Sequence, residues 1–371
     1  MKICLPVLTL AFLAFSTGVH AQFRKYSNEF LNIGAGARGL SMGSAQVASV
    51  NDGTSGYWNP AGLTGVKDYA QANLMHAEYF AGIGKYDFAS LVVPLDNNKR
   101  TIGLTALRFA VDQIANTLFL VQPDGSINYN NVTDFSAADY GFIVSLAQKL
   151  KETEDQKIHF GINAKVIHHS VGQFARSWGF GFDGGIQMQT RQWKFGIMAK
   201  DITTTFNAWS FSFTDQEKEV LYLTNNEIPI KSTEMTAPSV TGGAARDFRL
   251  SKKATLLAEA DLDFTFDGKR NTVISSNPIS IDPKIGVELN INDVFFVRAG
   301  IKNFQRTLDD EDSMNQKKVW IYQPSAGAGF RIQNVRIDYA FTNLANQSNP
   351  LFTHVFSLQF DLVNDKNKKK K

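Results

Sequence analysis

Residues 158–166, IHFGINAKV, alternate between apolar side chains and polar or small ones at every second position. Successive side chains of a β-strand point to opposite faces, so this stretch predicts a strand with one apolar and one polar face. The same alternation recurs at 193–200, 254–264, 335–342 and 352–361. Such strands are typical of a transmembrane barrel, in which the apolar face contacts lipid and the polar face lines the lumen.

The pattern recurs along most of the chain, and the number of segments comes out even, as single-chain bacterial barrels require. The fold class is therefore predicted as all-β, a transmembrane antiparallel β-barrel of about 14 strands over residues 69–362, with a Lys-rich periplasmic tail at 363–371. The predicted strands are 69–80, 85–95, 101–111, 138–149, 158–170, 177–190, 192–201, 237–247, 253–265, 282–291, 294–303, 321–332, 335–343 and 352–362.

The connections between these strands sort into short and long ones. Every second connection is short, and the others include the long ones at 112–136, 202–236, 266–281 and 304–320. Outer-membrane barrels have short periplasmic turns and longer outer loops. We therefore expect a protein of the cell outer membrane, with both termini periplasmic and the long loops extracellular.

The first residues and the composition restrict the class of protein further. Residues 1–21 are predicted to be a signal peptide, because Lys2 precedes an apolar run that ends in a small-x-small cleavage site. The alternative, a membrane anchor helix, is disfavoured because the run is too short to span a bilayer. The only cysteine, Cys4, would leave with the signal peptide. The formal charge of +3 gives no reason to expect a nucleic-acid partner.

The segment 22–68 has no place in the predicted wall, because it is rich in glycine and other small residues. Glycine permits tight turns, and Asn59-Pro60 is a typical start for a short helix. We predict that this segment folds inside the lumen as a hatch, or plug. The residues that define the predicted hatch are Gly34, Gly36, Arg38, Gly39, Gly43, Trp58, Asn59 and Pro60.

Charged side chains lie on the predicted inner face of the barrel. They are solvated or paired charges that hold the hatch, or else they form a polar conduit or a ligand gate. Arg38 is expected to pair with one of the acids in this set. The set comprises Lys165, Lys194, Lys200, Glu259, Asp261, Asp263, Arg336 and Asp338.

Two blocks of the sequence resemble the PorV/PorQ family of bacterial outer-membrane proteins, which is similar in architecture to the FadL long-chain fatty-acid transporters. The resemblance implies a fourteen-strand barrel with an N-terminal hatch. It also implies a role in type IX protein secretion, with the translocon or secreted cargo proteins as partners. The matching blocks are 30–43, the WNPAGL motif at 58–63, GAGF at 327–330, DYAF at 338–341 and the closing strand at 356–360.

No catalytic, cofactor or metal site is predicted. Gly34, Gly36 and Gly39 match a dinucleotide-binding fingerprint, but no βαβ unit surrounds them. His168 and His169 are adjacent on one strand and point to opposite faces, so they cannot share a metal ion. No Ser-His-Asp set can be placed together from the sequence.

The predicted outer loop 202–236 is rich in aromatic residues. Such a density indicates a partner surface or the mouth of a hydrophobic ligand site, or else a lid over the barrel. The acidic run 309–312 in another outer loop could bind calcium or a basic partner, or remain solvated. The candidate surface residues are Phe206, Trp209, Phe211, Phe213 and Tyr222.

Three functions are compatible with these features. The first is a non-enzymatic barrel, embedded in outer-membrane lipid, that binds the secretion translocon or cargo. The second is a FadL-like conduit for small hydrophobic molecules, which predicts an apolar pocket between the hatch and the outer loops. The third is a barrel enzyme.

Overall fold

The computed structural model describes residues 22–23, 27–80, 82–122, 124–308, 318–344 and 352–362. The predicted signal peptide, the Lys-rich tail and the acidic run 309–312 lie outside the described residues.

Within the described residues, eighteen strands form one sheet. In chain order they are β1 (Gln22–Phe23), β2 (Ala70–Tyr79), β3 (Gly84–Leu95), β4 (Arg100–Asn116), β5 (Thr133–Glu152), β6 (Gln156–Val171), β7 (Ala175–Thr190), β8 (Trp193–Lys200), β9 (Thr205–Phe211), β10 (Ser232–Thr236), β11 (Ser239–Arg249), β12 (Ala254–Thr265), β13 (Ile274–Ser275), β14 (Ser280–Ile291), β15 (Phe295–Leu308), β16 (Lys318–Ile332), β17 (Val335–Thr342) and β18 (Thr353–Leu362).

The helices are short. The α-helices are Ala37–Ser41, Ser55–Trp58 and Asp215–Leu223, and the 3-10 helices are Glu29–Asn32, Pro60–Gly65 and Tyr129–Asn131. In the part of the chain that the structure describes, no helix is long and apolar enough to cross a membrane.

The sheet closes into a barrel. Neighbouring wall strands pair antiparallel in chain order from β11 through β18 and on through β2 to β8, and the β8–β11 pairing closes the ring. Without β1, β9, β10 and β13, the ring has 14 strands, which confirms the predicted fold class. Closure leaves no open sheet edge, so every wall strand pairs on both sides.

The predicted alternation of faces is confirmed in the wall. On β6, Phe160 and Ile162 are 37% and 45% exposed on the outside, whereas Asn163 and Lys165 are buried on the inside. The two faces differ because the outside meets lipid and the inside meets protein and a polar cavity.

One row of outward-facing residues is aromatic and polar instead of aliphatic. Direct cross-strand register joins its eight members on eight successive strands. Because the strands of a closed barrel tilt, such a row climbs along the barrel axis and does not mark one depth in the membrane. The aligned residues are Tyr339, Phe356, His76, Asp87, Arg108, Tyr140, His168 and Trp178.

The turns at one end of the barrel are short, such as 96–99 and 333–334, and we call this the short-turn end. The opposite, long-loop end carries the connections 117–132 and 266–279. The interpretation of 202–236 as a loop was wrong, because it contains β9, the helix Asp215–Leu223 and β10. β9 continues the course of β8 beyond the interruption at 201–204, and β10 is separated from β11 by the interruption at 237–238. β9 and β10 pair with each other.

The inner segment, residues 27–66, runs through the barrel from one end to the other. At the long-loop end, β1 pairs with β10, and the Asn28 side chain donates to Thr236 Oγ1 at 2.7 Å. Leu63 and Val66 pack against Val92 at the short-turn end, where β18 also ends. Among the described residues, 22–23 and 362 therefore lie at opposite ends of the barrel, because the segment crosses the lumen before the first wall strand begins. The periplasmic location of both termini stays a prediction.

Candidate functional site

The inner segment is organised around Trp58 and Asn59. The Trp58 indole donates to Ala35 O at 2.8 Å, and Gly39 lies against the ring. As predicted, a short helix begins at Pro60, and Asn59 Oδ1 accepts from Ala61 N at 3.2 Å. The Asn59 amide also donates to Ile186 O of the wall at 3.2 Å, so the cap joins the segment to the barrel.

Glycine lets the segment approach the wall backbone directly. Gly43 has a φ of +62°, a conformation that side-chain-bearing residues rarely adopt. A Cβ atom on the facing Gly300 of β15 would lie 2.1 Å from the nitrogen of Gly43. The contact between segment and wall therefore depends on glycine on both sides.

Buried ion pairs fix the segment to strands β14, β15 and β17. Arg38 Nε lies 3.0 Å from Glu288, and Arg298 Nε lies 2.5 Å from the same carboxylate. Arg298 and Arg336 both contact Asp338, at 2.8 and 2.7 Å. Arg336 then reaches back to Asp52 of the segment at 3.5 Å. The network thus starts and ends on the inner segment. The partner of Arg38 is Glu288, which is not among the inner acids predicted from the sequence.

Two of the predicted inner acids bind backbone N–H groups instead of cations. Asp261 accepts from Gln46 N at 2.8 Å and from Val47 N at 3.0 Å. Glu259 accepts from Ala48 N at 2.7 Å. Buried backbone donors need such partners, so these contacts support the interpretation that inner charges hold the segment in place.

The Tyr57 hydroxyl makes two hydrogen bonds within the inner segment. It accepts from Gly34 N at 2.8 Å and donates to Leu31 O at 2.7 Å. A neutral hydroxyl can donate one hydrogen bond and accept another, as both contacts require.

A Ser-His-Asp row does exist, contrary to the prediction that none could be assembled. In the strand register, His169 of β6 lies between Asp139 of β5 and Ser177 of β7. His169 Nδ1 is 2.6 Å from Asp139, but Nε2 faces Asn28 Oδ1 at 3.0 Å. The buried Ser177 hydroxyl has no hydrogen-bond partner among the described residues. The imidazole therefore ties down the start of the inner segment instead of activating a nucleophile.

This row could have been found from the alternation pattern. Residues 139, 169 and 177 all have the parity of the inner face, and short connections place their strands side by side. The missing information was the register of pairing, which brings the three side chains to one level.

A cavity of about 450 Å³ lies between the start of the inner segment and the walls at the long-loop end. Tyr57 and Trp58 line it from the segment, and the exposed Asn271 lies at its outer side. Its position matches the pocket expected of a conduit, but its lining does not. Most lining side chains are charged, hydroxyl or amide groups, so the prediction of an apolar pocket was wrong.

Most charges in the cavity are paired. Lys165 lies 2.7 Å from both Asp183 and Asp201. Lys284 contacts Asp263. Arg270 lies 2.6 Å from Asp267 and 3.5 Å from Glu29, the latter on the inner segment.

Two lysines in the cavity differ from the others. Lys200 Nζ lies 5.1 Å from the centre of the Tyr57 ring, and Lys302 Nζ donates to Ser44 Oγ at 3.0 Å. Among the described residues, no carboxylate oxygen lies within 4 Å of either ammonium group.

The five predicted surface aromatics do not form one surface. Phe206 points outward, whereas Trp209 points inward and stacks on His169 at 5.3 Å. Phe211 stacks on Trp209, and Phe213 stacks on Phe174 at 5.9 Å. Tyr222 is exposed on the helix Asp215–Leu223. Strand alternation in β9 separates residues that the sequence suggested would lie together.

No group of three or more His, Cys, Asp or Glu side chains that could hold a metal ion occurs among the residues described.

Comparisons with known proteins show the fold. No family model matches the sequence, and no curated protein matches it. The toluene transporter TbuX of Ralstonia pickettii matches with a TM-score of 0.55 at 11% identity, over 89% of this chain and 98% of that one. The monoaromatic hydrocarbon channel CymD matches with a TM-score of 0.53 at 13% identity, over 90% and 98%. The toluene transporter TodX of Pseudomonas putida matches with a TM-score of 0.53 at 13% identity, over 89% and 98%.

The chain thus shares the closed 14-strand barrel fold of these transporters and channels. At such low identities the likeness extends to the fold alone. Membership of the PorV/PorQ family stays a prediction.

Proposed function

We propose that this protein is a non-enzymatic conduit of the outer membrane that receives a small molecule in the cavity at the long-loop end. The carrying observation is the cavity itself, which has a volume of about 450 Å³ and lies between the wall strands and the inner segment. This volume is in the range of ordinary small-molecule sites. The similar solved structures are described as transporters and channels, which supports the same class of function.

In this proposal the long loops face the cell exterior, and the segment 22–68 acts as a hatch. The hatch closes the lumen below the cavity, since Leu63 and Val66 pack against the wall at the short-turn end. A molecule bound in the cavity would pass only when part of the segment shifts. Ligand binding favours such a shift if it binds the shifted state more tightly.

Transport of a hydrocarbon like toluene has less support in this chain. The fold favours it by analogy, but the cavity presents charged and hydroxyl side chains to its contents. An apolar ligand would offer no hydrogen-bond acceptor to Lys200 and Lys302, the two cavity lysines with no carboxylate within 4 Å among the described residues.

The secretion role has no specific observation in its favour. Its predicted contact surface, Phe206 to Tyr222, is divided between the outside, the inside and the rim of the barrel. Binding of a translocon or cargo protein therefore stays a prediction from family resemblance.

Solute uptake into vesicles tests the conduit. Purified protein is reconstituted into lipid vesicles, and entry of small solutes is followed by vesicle swelling, with protein-free vesicles as the control. We expect at least one class of small solute to enter faster with the protein present. Uptake at the protein-free rate for apolar, neutral polar and anionic solutes would contradict the proposal.

A further inference from the structure

Four neighbouring wall strands end in polar residues where the wall borders the cavity. Lys200 is the last residue of β8 and Ser239 the first of β11, while Thr265 is the last of β12 and Ser280 the first of β14. The register pairs Ser239 directly with both Lys200 and Thr265, and it pairs Thr265 with Ser280. Directly opposite side chains on antiparallel strands have Cβ atoms about 4.5–5.5 Å apart, so the four residues form one continuous row. All four line the cavity, and we call them the polar row.

Three members of the polar row have unused hydrogen-bonding capacity. Among the described residues, the Ser239 and Thr265 hydroxyls have no hydrogen-bond partner, and both open onto the cavity. Lys200 Nζ lies 5.1 Å from the centre of the Tyr57 ring, which attracts the charge but does not replace an oxygen acceptor. Ser280 differs, because its hydroxyl already makes two hydrogen bonds to the backbone. The first three residues can therefore bind a guest without breaking an internal hydrogen bond.

The charges around the polar row are close to balanced. Six carboxylates and five ammonium or guanidinium groups line the cavity. An anion at Lys200 would also face Asp183 and Asp263, whose charges act on the same ammonium group. A cation would face the ammonium group itself. Because either kind of charged guest would also give up its hydration, the cavity favours an uncharged one.

The chemistry of the polar row restricts the uncharged guest further. An ammonium group only donates hydrogen bonds, whereas the hydroxyls of serine and threonine both donate and accept them. A guest that carries several hydroxyl groups can match all three side chains, because each of its oxygens also donates and accepts. An apolar guest would leave all three unmatched. The cavity volume of about 450 Å³ is in the range of sites for small molecules.

We propose that Lys200, Ser239 and Thr265 form the binding site of an uncharged polyhydroxyl solute, of the class of sugars and sugar alcohols. The oxygens of the solute accept hydrogen bonds from the Lys200 ammonium group, and its hydroxyls exchange hydrogen bonds with Ser239 and Thr265. This inference rests on the proposed function, because it names the class of small molecule that the conduit receives.

Titrations followed by saturation-transfer NMR, with the purified protein in lipid nanodiscs, test the class of guest. The probe is sorbitol, and its matched controls are gluconate and glucamine, which carry a negative or a positive charge on one terminal carbon of the same chain. A third control, hexane-1,6-diol, keeps the chain length but only the two terminal hydroxyls. We expect sorbitol to bind more tightly than all three controls. Tighter binding of any control, or no binding of sorbitol, would overturn the inference.

Substitutions assign the binding to the polar row. Ser239→Ala, Thr265→Val and Lys200→Met should each weaken sorbitol binding by about threefold to tenfold, because each removes one hydrogen bond to the solute. The matched control is Thr255→Val, which lies on β12 like Thr265 but does not line the cavity. This control should bind sorbitol as the unsubstituted protein does. Unchanged binding in the Ser239→Ala/Thr265→Val double variant would contradict the site.

A further variant decides the matter if the double variant does not fold. Ser239→Leu places an apolar side chain in the row and should weaken sorbitol binding at least as much as Ser239→Ala, whereas full affinity would refute the site. Vesicle uptake separates the two proposals. Sorbitol binding without uptake of any solute contradicts the conduit alone. Uptake of small solutes without sorbitol binding contradicts the polyhydroxyl site alone.

Discussion

At the scale of single residues, close backbone and side-chain contacts hold residues 42–48 of the inner segment against the wall. Backbone meets backbone at Gly43 and Gly300, and side-chain carboxylates of the wall take up the N–H groups of residues 46–48. Such contacts depend on residue size and charge more than on hydrophobic character, so single substitutions should have large effects.

Gly300→Ala is expected to destabilise the barrel by about 1–3 kcal/mol, the usual cost of overpacking. The added methyl group would lie 2.1 Å from backbone atoms of both Met42 and Gly43, which cannot rotate away. The matched control is Gly242→Ala on β11, where an added methyl group meets no atom within 4 Å. Urea unfolding in lipid vesicles measures both, and equal stability of the two variants would refute the packing argument.

Arg38→Ala is expected to cost about 3 kcal/mol, since it leaves a buried network with one uncompensated negative charge. The inner segment should then be cut faster by an added protease. Adding Glu288→Gln restores neutrality and should recover part of the lost resistance. Arg100→Ala, which removes an exposed pair with Asp96, should have almost no effect. Unchanged protease resistance in Arg38→Ala would show that the pair does not hold the segment.

At the scale of elements, alternation predicted the wall strands well but missed the structured region at 205–236. The sequence did contain one signal, because Thr214 and Glu217 have the spacing of a capping box. In the structure, Glu217 N donates to Thr214 Oγ1 at 3.3 Å, and Thr214 N donates to Glu217 at 2.7 Å. No comparable sequence signal marks the short strands β9 and β10. They form because the chain continues the course of β8 and β11 beyond the interruptions at 201–204 and 237–238.

The proposed role of the inner segment as a hatch leads to a prediction at this scale. Ala37 N lies 2.7 Å from Ser357 Oγ of β18, so an Ala37→Cys/Ser357→Cys pair should form a disulfide between segment and wall on oxidation. The link should slow vesicle uptake, and a reducing agent should restore it. Each single cysteine variant, oxidised in the same way, is the control. Equal uptake by the oxidised and reduced pair would show that passage does not require this part of the segment to move.

At the scale of the whole molecule, the barrel sits in lipid by its outer face. On the outer face of β4, the charged residues Arg100 and Arg108 lie on either side of Leu104, which lies between Leu91 and Val144 of the neighbouring strands. Leu104→Arg should cost about 2–4 kcal/mol, the penalty for a cation near the bilayer midplane. Val121→Arg, in the connection 117–132 at the long-loop end, should cost much less. The folded fraction in vesicles measures both, and equal costs would place the band elsewhere.

The sequence by itself determined the class of fold, because lipid outside and a polar interior impose a period of two on every wall strand. It also indicated that residues 34–65 pack closely, since only small residues permit such contacts. Tertiary structure alone decided that Arg38 of the inner segment meets Glu288 and that His169 meets Asp139 of the neighbouring strand. It also decided that Lys200 and Lys302 have no carboxylate within 4 Å among the described residues. These pairings depend on strand register and on the path of the inner segment, and alternation along one strand contains no information about its neighbours.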